Sequence, residues 1–417
     1  MEHDVSLVNQ GNAAQRIASL QEMMKALPFP VMGTDVNNHI HTTYSFSPYS
    51  PTAAAYKARM AGLCTAGIMD HDTLGGAREF IKACGLLGIG GTCGVECRVS
   101  FEGTKLADRR INNPDQKGVA YMLLHAVPHD KIEETDAFFA PLREKRNLRN
   151  RKMVAGFNEM AKETPFHLSF EKDVLPLSLY AEGGVVTERH IASAIAYALE
   201  AHAGRGAAFI RCIEESFHKR VGESYAKLFL QENNPYFHYD AIGFVKAELL
   251  PDFYVDAHEE CASVQEVLAL SERVGAISAY AYLGDINQSV TGDKRAQQFE
   301  DSYLDELFDV IAELGFRAVT YMPTRNTPAQ IQRLREKIHE KNFFEISGED
   351  INQPRQSFVC TAMQGKAFDA LRDSAWAMVA HERRKEGLFS DAMCARYPDL
   401  QQRVSAFAQE GKSNARI

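Results

Sequence analysis

Histidine and carboxylate side chains stand at the ends of several short apolar runs that have the composition of β-strands. The residues concerned are His39, His41, His71, Glu96, His125, Asp350 and Asn352. Imidazole and carboxylate groups are common ligands of divalent metals. Because α/β enzymes carry their active sites at the carboxyl ends of parallel strands, this pattern predicts a metal site at one edge of a sheet.

No single one of these residues establishes a metal site by itself. A His-x-His pair arises by chance about 0.5 times in a chain with this many histidines, but His39 and His41 would face the same side of a strand and could chelate one ion. Glu96 lies in an apolar run, where a buried carboxylate needs a partner such as a metal. His125 is also compatible with a core histidine, and residues 70–72 with a turn that caps a helix.

The elements that must position these side chains alternate along the chain. We predict strands over 35–41, 65–69, 93–101, 119–127, 276–282, 317–322 and 343–347. We predict helices over 52–63, 75–87, 264–274, 303–314 and 328–341. Repeated strand–helix units are typical of a parallel sheet or a barrel.

Between the two strand-rich parts, the chain has few strand candidates and is mostly helical in pattern, including the amphipathic stretch 187–199. We interpret this region as a helical insertion into the α/β domain. The predicted organisation is an N-terminal helix over 1–30, a first barrel part over 31–130, an insertion over 131–250, a second barrel part over 251–360 and a helical tail over 361–417.

Composition excludes several classes of protein. A net charge of −9 argues against a protein built mainly to bind nucleic acid or anionic membrane. No apolar run approaches the roughly 18 to 20 residues that a membrane span needs, and the N-terminus lacks the pattern of a signal peptide. The 8 scattered cysteines are typical of reduced, buried thiols. We expect a soluble cytoplasmic protein.

Taken in order, the motifs resemble those of the PHP (polymerase and histidinol phosphatase) superfamily, and especially its metal-dependent phosphoesterases with a helical insertion. The matching segments are His39-Ile-His41, Asp70-His71, Gly94-Val-Glu96, His125, Asp350-x-Asn352 and, in the insertion, Thr187-Glu-Arg189-His190-Ile-Ala. The resemblance covers about residues 34–130 and 250–355. It implies a distorted (β/α)7 barrel whose strand ends hold two or three ions, commonly manganese, iron or zinc. It also implies hydrolysis of a phosphate ester by a metal-bound hydroxide.

The sequence departs from this family pattern at three positions: Phe46 replaces an aspartate, Tyr280 a strand-end histidine and Asn352 the closing histidine. The resemblance implies three ligand sets, which are His39, His41, Glu96 and Asp350 for one ion, Glu96 and His125 for a second, and His71 with Asn352 for a third. Because the departures weaken the last two sets, we expect one to two divalent ions (Mn, Fe or Zn).

A phosphate substrate also requires cationic side chains near the metal. The candidate substrate-binding residues are Arg189, Arg325 and Arg355, although an ordinary surface ion pair would explain each of them too. The candidate catalytic residues are His71, Arg189 and His190. His71 is either a metal ligand or a general acid for the leaving group.

The segment 143–152 is the most basic stretch of the chain. Arg143, Arg146 and Arg149 recur at every third position and could share one helix face. This face is either a wall that attracts a polyanionic substrate or a solvated surface, and the pattern favours the second interpretation. Aromatic residues are not interleaved with it, which argues against a platform for single-stranded nucleic acid.

These observations predict a metal-dependent hydrolase, a phosphoesterase acting on a small phosphorylated metabolite or nucleotide. One alternative, favoured by Tyr280 and Asn352, is a non-catalytic metal- or ligand-binding protein on the same scaffold. A second alternative is a metal-dependent hydrolase of a non-phosphate bond, because a fold does not determine the substrate. The expected partner is a small-molecule phosphorylated substrate, without a membrane and without nucleic acid other than a nucleotide substrate.

Overall fold

A computed structural model describes residues 5–26, 29–113, 116–285 and 300–414. Its eight strands form one mixed sheet. They are β1 (Val36–Ile40), β2 (Thr65–His71), β3 (Gly90–Ser100), β4 (Val119–His125), β5 (Ala262–Ser263), β6 (Ile277–Tyr282), β7 (Ala318–Tyr321) and β8 (Phe344–Ser347). Seven of them overlap the predicted strands to within three residues at either end, and only the short β5 was not predicted.

The sheet curls into a nearly closed barrel. Its strand order is β1-β2-β3-β4-β6-β7-β8, with β5 paired to β3. An isolated parallel bridge between Ile40 and Ile351 brings the segment after β8 against β1 and closes the circle. The predicted distorted barrel of the PHP type is therefore confirmed.

One strand of the barrel runs against the others. β4 pairs antiparallel with both of its neighbours, β3 and β6, whereas the remaining neighbours along the barrel are parallel. His125, the last residue of β4, therefore pairs with Ile277 at the beginning of β6. The carboxyl end of β4 points toward the edge of the barrel opposite to the one where β1 and β2 end.

Fourteen α-helices are found in the described part of the chain. They are α1 (Ala13–Ala26), α2 (Pro51–Met60), α3 (Ala77–Leu87), α4 (Ile132–Met160), α5 (Glu188–Ala203), α6 (Ala207–Phe217), α7 (Glu223–Phe229), α8 (Phe237–Phe244), α9 (Val264–Val274), α10 (Leu304–Leu314), α11 (Pro328–Glu340), α12 (Asp369–Arg383), α13 (Asp391–Arg396) and α14 (Leu400–Asn414). Among the residues described, no helix combines the length and apolar character needed to span a membrane.

Local sequence signals explain where the barrel helices begin and end. α9 and α11 each start with a capping box, in which Ser263 pairs with Glu266 and Thr327 pairs with Gln330. α9 ends at Gly275 in the left-handed region, with φ of 76°, a conformation that glycine adopts without steric cost.

Buried apolar side chains form two clusters. The first joins the barrel to α1, α12 and α14. The second lies within residues 153–253, between the helices α4 to α8 and the turns that follow them. α12 is tied to the barrel by a buried hydrogen bond, in which the backbone N–H of Cys93 donates to Glu382 at 2.6 Å. The division into domains at the predicted boundaries stays a prediction.

Candidate metal centre

The end of β1 and the middle of β3 bring two histidines and a glutamate together. His39 lies in β1, His41 directly follows it, and Glu96 points into the barrel from β3. His39 Nε2 and His41 Nε2 are 3.2 Å apart, and each lies 3.5 Å from Glu96 Oε2. The three donor atoms lie within 4.8 Å of one another; the two histidines are buried, and the Glu96 side chain is 11% exposed.

These spacings fit a shared metal ion. Ligand bonds of 2.0–2.2 Å to a tetrahedral ion place neighbouring donor atoms about 3.3 to 3.6 Å apart. The observed separation of 3.5 Å lies in this range, and that of 3.2 Å lies just below it. Without a cation, the lone pairs of two imidazoles and a carboxylate would converge on one point inside the barrel, which is an unfavourable arrangement. The donor set therefore fits a divalent ion.

Close packing at the barrel seam holds His39 in place. Gly348 follows β8 and lies directly against β1. A Cβ atom at this position would be 2.8 Å from the Cβ of His39, which is closer than real side chains approach. Glycine at position 348 thus allows the segment after β8 to pack directly against His39.

Asp350 adds a second carboxylate beside the same imidazole and is connected to an arginine. Its Oδ1 lies 3.2 Å from His41 Nε2 and accepts a hydrogen bond of 2.6 Å from Asn352 Nδ2. Asn352 Oδ1 in turn accepts a hydrogen bond of 2.8 Å from Arg189 Nη1. The N-terminal end of α5 is thereby connected to the metal-binding edge of the barrel.

His71, at the end of β2, joins the cluster through the glutamate. Its Nδ1 lies 3.1 Å from Glu96 Oε2, and it lines the cavity described below. Burial lowers the pKa of His71 well below its usual value, so its imidazole is neutral at neutral pH. Burial alone would raise the pKa of Glu96, but the neighbouring His71 and His39 lower it to about 2.

A buried relay of hydrogen bonds, from His41 through Ser45 to Asp70, fixes the orientation of the His41 imidazole. Its Nδ1 lies 3.2 Å from Ser45 Oγ, and this hydroxyl donates to Asp70 Oδ1 at 2.6 Å. The backbone N–H of Thr42 donates to the same carboxylate at 2.7 Å. Since Ser45 uses its proton on Asp70, it accepts one from His41 Nδ1, which leaves the Nε2 lone pair free for a metal. The sequence pattern marked Asp70 as the end of a strand and missed this orienting role.

Three predicted site residues do not line the cavity. His125 is buried in the barrel two residues beyond Leu123, which pairs with Glu96; it lies close enough to His39 and Glu96 to interact with them electrostatically, and its Nε2 has no hydrogen-bond partner among the described residues. His190 is buried in α5, where its Nδ1 accepts a hydrogen bond of 2.9 Å from the backbone N–H of Thr187. Arg355 binds Asp240 at 2.8 Å. None of the three predicted residues is among those that line the cavity.

The positions of the family departures are also visible. Phe46 packs edge-on against His190, with ring centroids 4.9 Å apart. Tyr280 is fully buried, and its hydroxyl donates to Glu300. The tyrosine of β6 that lines the cavity is Tyr282, two residues further along the strand. Tyr280 therefore does not reach the metal-binding edge.

A cavity of about 450 Å³ covers the cluster. Its walls come from the strand ends, from the start of α5 and from the turns after α8. The cationic residues that line it are Arg98, Arg146, Arg189, Lys246 and Arg325. The carboxylates that line it are Glu96, Glu188, Glu349 and Asp350. A divalent ion would make the balance of charge around the cavity clearly positive.

The basic face of α4 is buried rather than solvated, contrary to the interpretation that the sequence pattern favoured. Arg146 contacts Asp72, Arg149 contacts Glu188 and Glu260, and Arg98 Nη1 from β3 lies 2.7 Å from Glu188 Oε1. We call these six residues the arginine cluster. Burial alone would raise the pKa of Glu188, but the adjacent arginines hold it well below its usual value.

Comparison with known proteins places the chain in a family. A model of the PHP domain matches residues 37–317. This protein therefore belongs to the PHP domain family, as its motifs predicted. None of the curated proteins compared with the chain matches it.

Two solved structures have a similar fold. One is a proposed metal-dependent phosphoesterase from Bifidobacterium adolescentis, with 19% identity, a TM-score of 0.50, and 80% of this chain and 94% of that chain covered. The other is an amidohydrolase from Chromobacterium violaceum with bound sulfate and no metal, with 16% identity, a TM-score of 0.50, and 78% and 90% covered. At such low identity these likenesses concern the fold alone.

Proposed function

We propose that this protein is a metal-dependent hydrolase that cleaves a phosphate ester of a small metabolite or nucleotide. The observation that carries the proposal is the meeting of two features in one cavity. A cluster of donor atoms with metal-ligand spacing forms one part of its wall, and five cationic side chains line it. A phosphate group needs both a metal and fixed cationic donors.

The proposed ligands are His39, His41, Glu96 and Asp350. When bound there, a divalent ion would lower the pKa of a water molecule and polarise a phosphoryl oxygen. The Asp70–Ser45 relay keeps His41 in the tautomer that presents Nε2. The hydrogen bond from Asn352 to Asp350 orients the second carboxylate.

The remaining cavity residues bind the substrate and move protons. Arg189 and Arg325 offer N–H groups to phosphoryl oxygens, and both line the cavity. Neutral His71 donates its Nδ1 proton to Glu96 in the arrangement seen, so its Nε2 lone pair can accept a proton within the cavity. His71 is thus proposed as the proton acceptor nearest to the metal ligands.

Phosphate release from a panel of substrates tests this function. The panel contains p-nitrophenyl phosphate, nucleotides and sugar phosphates, each assayed with Mn²⁺, Fe²⁺ and Zn²⁺. Because loss of even an outer partner of a metal ligand costs 10- to 100-fold, the ligand change Glu96→Gln is expected to cost more than about 100-fold. The matched change Glu133→Gln, at an exposed position of α4, should leave the rate within about twofold.

Two outcomes would contradict the phosphoesterase proposal. Bound metal without phosphate release from any substrate would favour a binding protein on the same scaffold. Hydrolysis of an amide or lactone, with no phosphate release, would keep the metal chemistry but change the bond that is cleaved.

A further inference from the structure

We propose that α4 positions His71. Arg143 and Arg146 of this helix hold Asp72 in a left-handed backbone conformation, and Asp72 in turn fixes the imidazole that precedes it in the chain. Arg143 and Asp72 are therefore positioning residues, which act through His71. The expected effect on turnover rests on the proposed function, whereas the expected effect on the conformation of His71 does not.

The turn after β2 contains an uncommon backbone conformation. Asp72 has φ of 49°, in the left-handed region that residues with a side chain rarely adopt. Such a conformation persists only where the surrounding structure imposes it, and it is frequent at functional sites. Asp72 directly follows His71, which pairs with Glu96 in the register of β2 and β3. The uncommon conformation therefore lies next to the cluster of metal-binding donors.

Hydrogen bonds hold the backbone of Asp72 on both sides. Its N–H donates to the carbonyl oxygen of Glu96 at 2.9 Å, which continues the pairing with β3 one residue beyond His71. Its carbonyl oxygen accepts a hydrogen bond of 2.9 Å from Arg143 Nη1. The first bond connects the turn to the strand that carries Glu96, and the second connects it to α4.

The side chain of Asp72 is held by the same helix. Its carboxylate contacts Arg146, and the two side chains are only 9% and 2% exposed. Aspartate adopts the left-handed region more readily than most residues, because its short polar side chain can be hydrogen-bonded. The contact with Arg146 therefore stabilises the conformation that the backbone of Asp72 requires.

Asp136 connects Arg143 to the next part of the turn. Its two carboxylate oxygens accept hydrogen bonds of 3.0 Å each from Arg143 Nη1 and Nη2. Its Oδ1 also accepts one of 2.8 Å from the backbone N–H of Leu74. α4 thus holds the turn at both residue 72 and residue 74, and a helix places a site residue more precisely than a loop does.

His71 needs such support more than its neighbours do. Its Nδ1 lies 3.1 Å from Glu96 Oε2, and 25% of its side chain is exposed. The side chain of His41, whose ring centroid is 4.6 Å from that of His71, is only 2% exposed. Packing therefore restrains the imidazole of His71 less than that of His41, and the turn that follows it supplies the missing restraint.

A double-mutant cycle tests whether Arg143 acts through His71, with kcat for phosphate release as the measurement. Arg143→Gln should lower kcat about tenfold in the wild type but less than about twofold in His71→Asn, because the two changes remove the same function. Arg143→Lys, which keeps the charge and a donor, should restore most of the rate. Arg78→Gln, which breaks an exposed pair with Glu133 of α4, is the matched control and should change kcat less than about twofold. Additive losses from Arg143→Gln and His71→Asn would overturn the inference.

Two substitutions of Asp72 separate the backbone conformation from the charge. Asparagine also adopts the left-handed region readily, and its amide oxygen can accept a hydrogen bond from Arg146. Asp72→Asn should therefore keep kcat within about threefold of the wild type, whereas Asp72→Ala should lose about tenfold or more. Equal losses in the two variants would overturn the role of the backbone conformation.

The NMR spectrum of the imidazole rings provides a readout that does not depend on turnover. It is recorded on the full-length, Zn²⁺-loaded protein labelled with ¹⁵N-histidine. The resonances of His71, identified by their loss in His71→Asn, should shift or broaden in Arg143→Gln and Asp72→Ala and stay in place in Asp72→Asn. The resonances of His381, in α12, should stay in place in every variant and show that the protein is folded.

The two readouts distinguish failure of this inference from failure of the proposed function. Unchanged His71 resonances in Arg143→Gln and Asp72→Ala would overturn the inference, even if phosphate release is observed. Shifted His71 resonances without phosphate release from any protein would reject the proposed function and support the positioning of His71 by α4.

Discussion

Two buried clusters of charged side chains meet at one cavity, and they differ in what balances their charge. The arginine cluster sets three guanidinium groups against three carboxylates, and each guanidinium group pairs with a carboxylate within the protein. The cluster of His39, His41, His71, Glu96 and Asp350 has two carboxylates and imidazoles whose lone pairs converge on one point. The first cluster is complete as it stands, while the second is suited to a cation.

The comparison shows that burial of charge alone does not identify a ligand site. Glu188 and Glu96 are buried to a similar degree, and both have a pKa lowered by neighbouring groups. The neighbours of Glu188 are permanent cations, whereas those of Glu96 are histidines that can give up their protons. A metal ion can replace protons on histidines but cannot replace a guanidinium group. The type of partner therefore distinguishes the two clusters. Glu188 with its arginines anchors α5 to the barrel, whereas Glu96 with its histidines suits a metal ion.

The largest expected effect comes from breaking the arginine cluster. Glu188→Ala leaves buried guanidinium groups without their shared carboxylate and should lower the free energy of unfolding by about 3–5 kcal/mol. Urea unfolding followed by circular dichroism measures this change. Glu188→Gln, which keeps the shape, controls for the loss of packing.

Metal content provides a second test of whether the arginine cluster and the metal-binding cluster are separate. Folded Glu188→Gln should bind as much metal as the wild type, because Glu188 orders the wall of the cavity without ligating the ion. Loss of metal in Glu188→Gln at full folding would mean that the two clusters are not separate.

A smaller expected effect concerns Arg189, which contacts Asn352. Arg189→Gln removes a charged donor from the cavity and should reduce phosphate-ester turnover by about 10- to 100-fold, since hydrogen bonds to charged groups contribute about 1.5–3 kcal/mol. Arg355→Gln is the matched control, because Arg355 pairs with Asp240 outside the cavity. Equal losses in the two variants, measured as kcat/KM, would contradict the assignment of Arg189.

The smallest expected effect is the loss of stability that His125 causes at acidic pH, which tests whether His125 is a core residue. Burial lowers its pKa to about 3, below the value of about 6.5 in an unfolded chain. As the pH falls below 6.5, the unfolded chain takes up the proton first. The free energy of unfolding therefore decreases until the pH reaches the pKa of the folded state. At pH 5, the buried neutral His125 should lower the free energy of unfolding by about 2 kcal/mol relative to pH 7.

Paired unfolding measurements check this value. His125→Gln should lose about 2 kcal/mol less than the wild type between pH 7 and pH 5, while its metal content at pH 7 stays unchanged. An unchanged acid sensitivity, or a loss of metal, would instead place His125 in the metal cluster.

Much of the metal cluster could be predicted from local sequence. His39, His41 and His71 follow or end apolar runs and Glu96 lies within one, and the barrel brings these runs together because β1, β2 and β3 are parallel neighbours. The position of His125 could not be predicted in this way. It also ends an apolar run, but the direction of β4 depends on tertiary pairing with β3 and β6.

Side chains beyond the strand ends were harder to predict. The basic face of α4 has the spacing of a solvated helix, and only the carboxylates of distant segments, Glu188 and Glu260, make its burial possible. Tyr280 and Tyr282 share one face of β6, yet Tyr280 is fully buried with its hydroxyl on Glu300, and only Tyr282, nearer the carboxyl end of the strand, lines the cavity. The depth of the site along the strand therefore decides which side chain reaches it, and the sequence pattern does not reveal this depth.

A crystal structure of the protein grown with Mn²⁺, with anomalous diffraction recorded at the manganese edge, tests the central claim most directly. The account predicts an anomalous peak within bonding distance of His39 Nε2, His41 Nε2 and Glu96 Oε2. The absence of a peak at these three atoms in crystals of the loaded protein would contradict it.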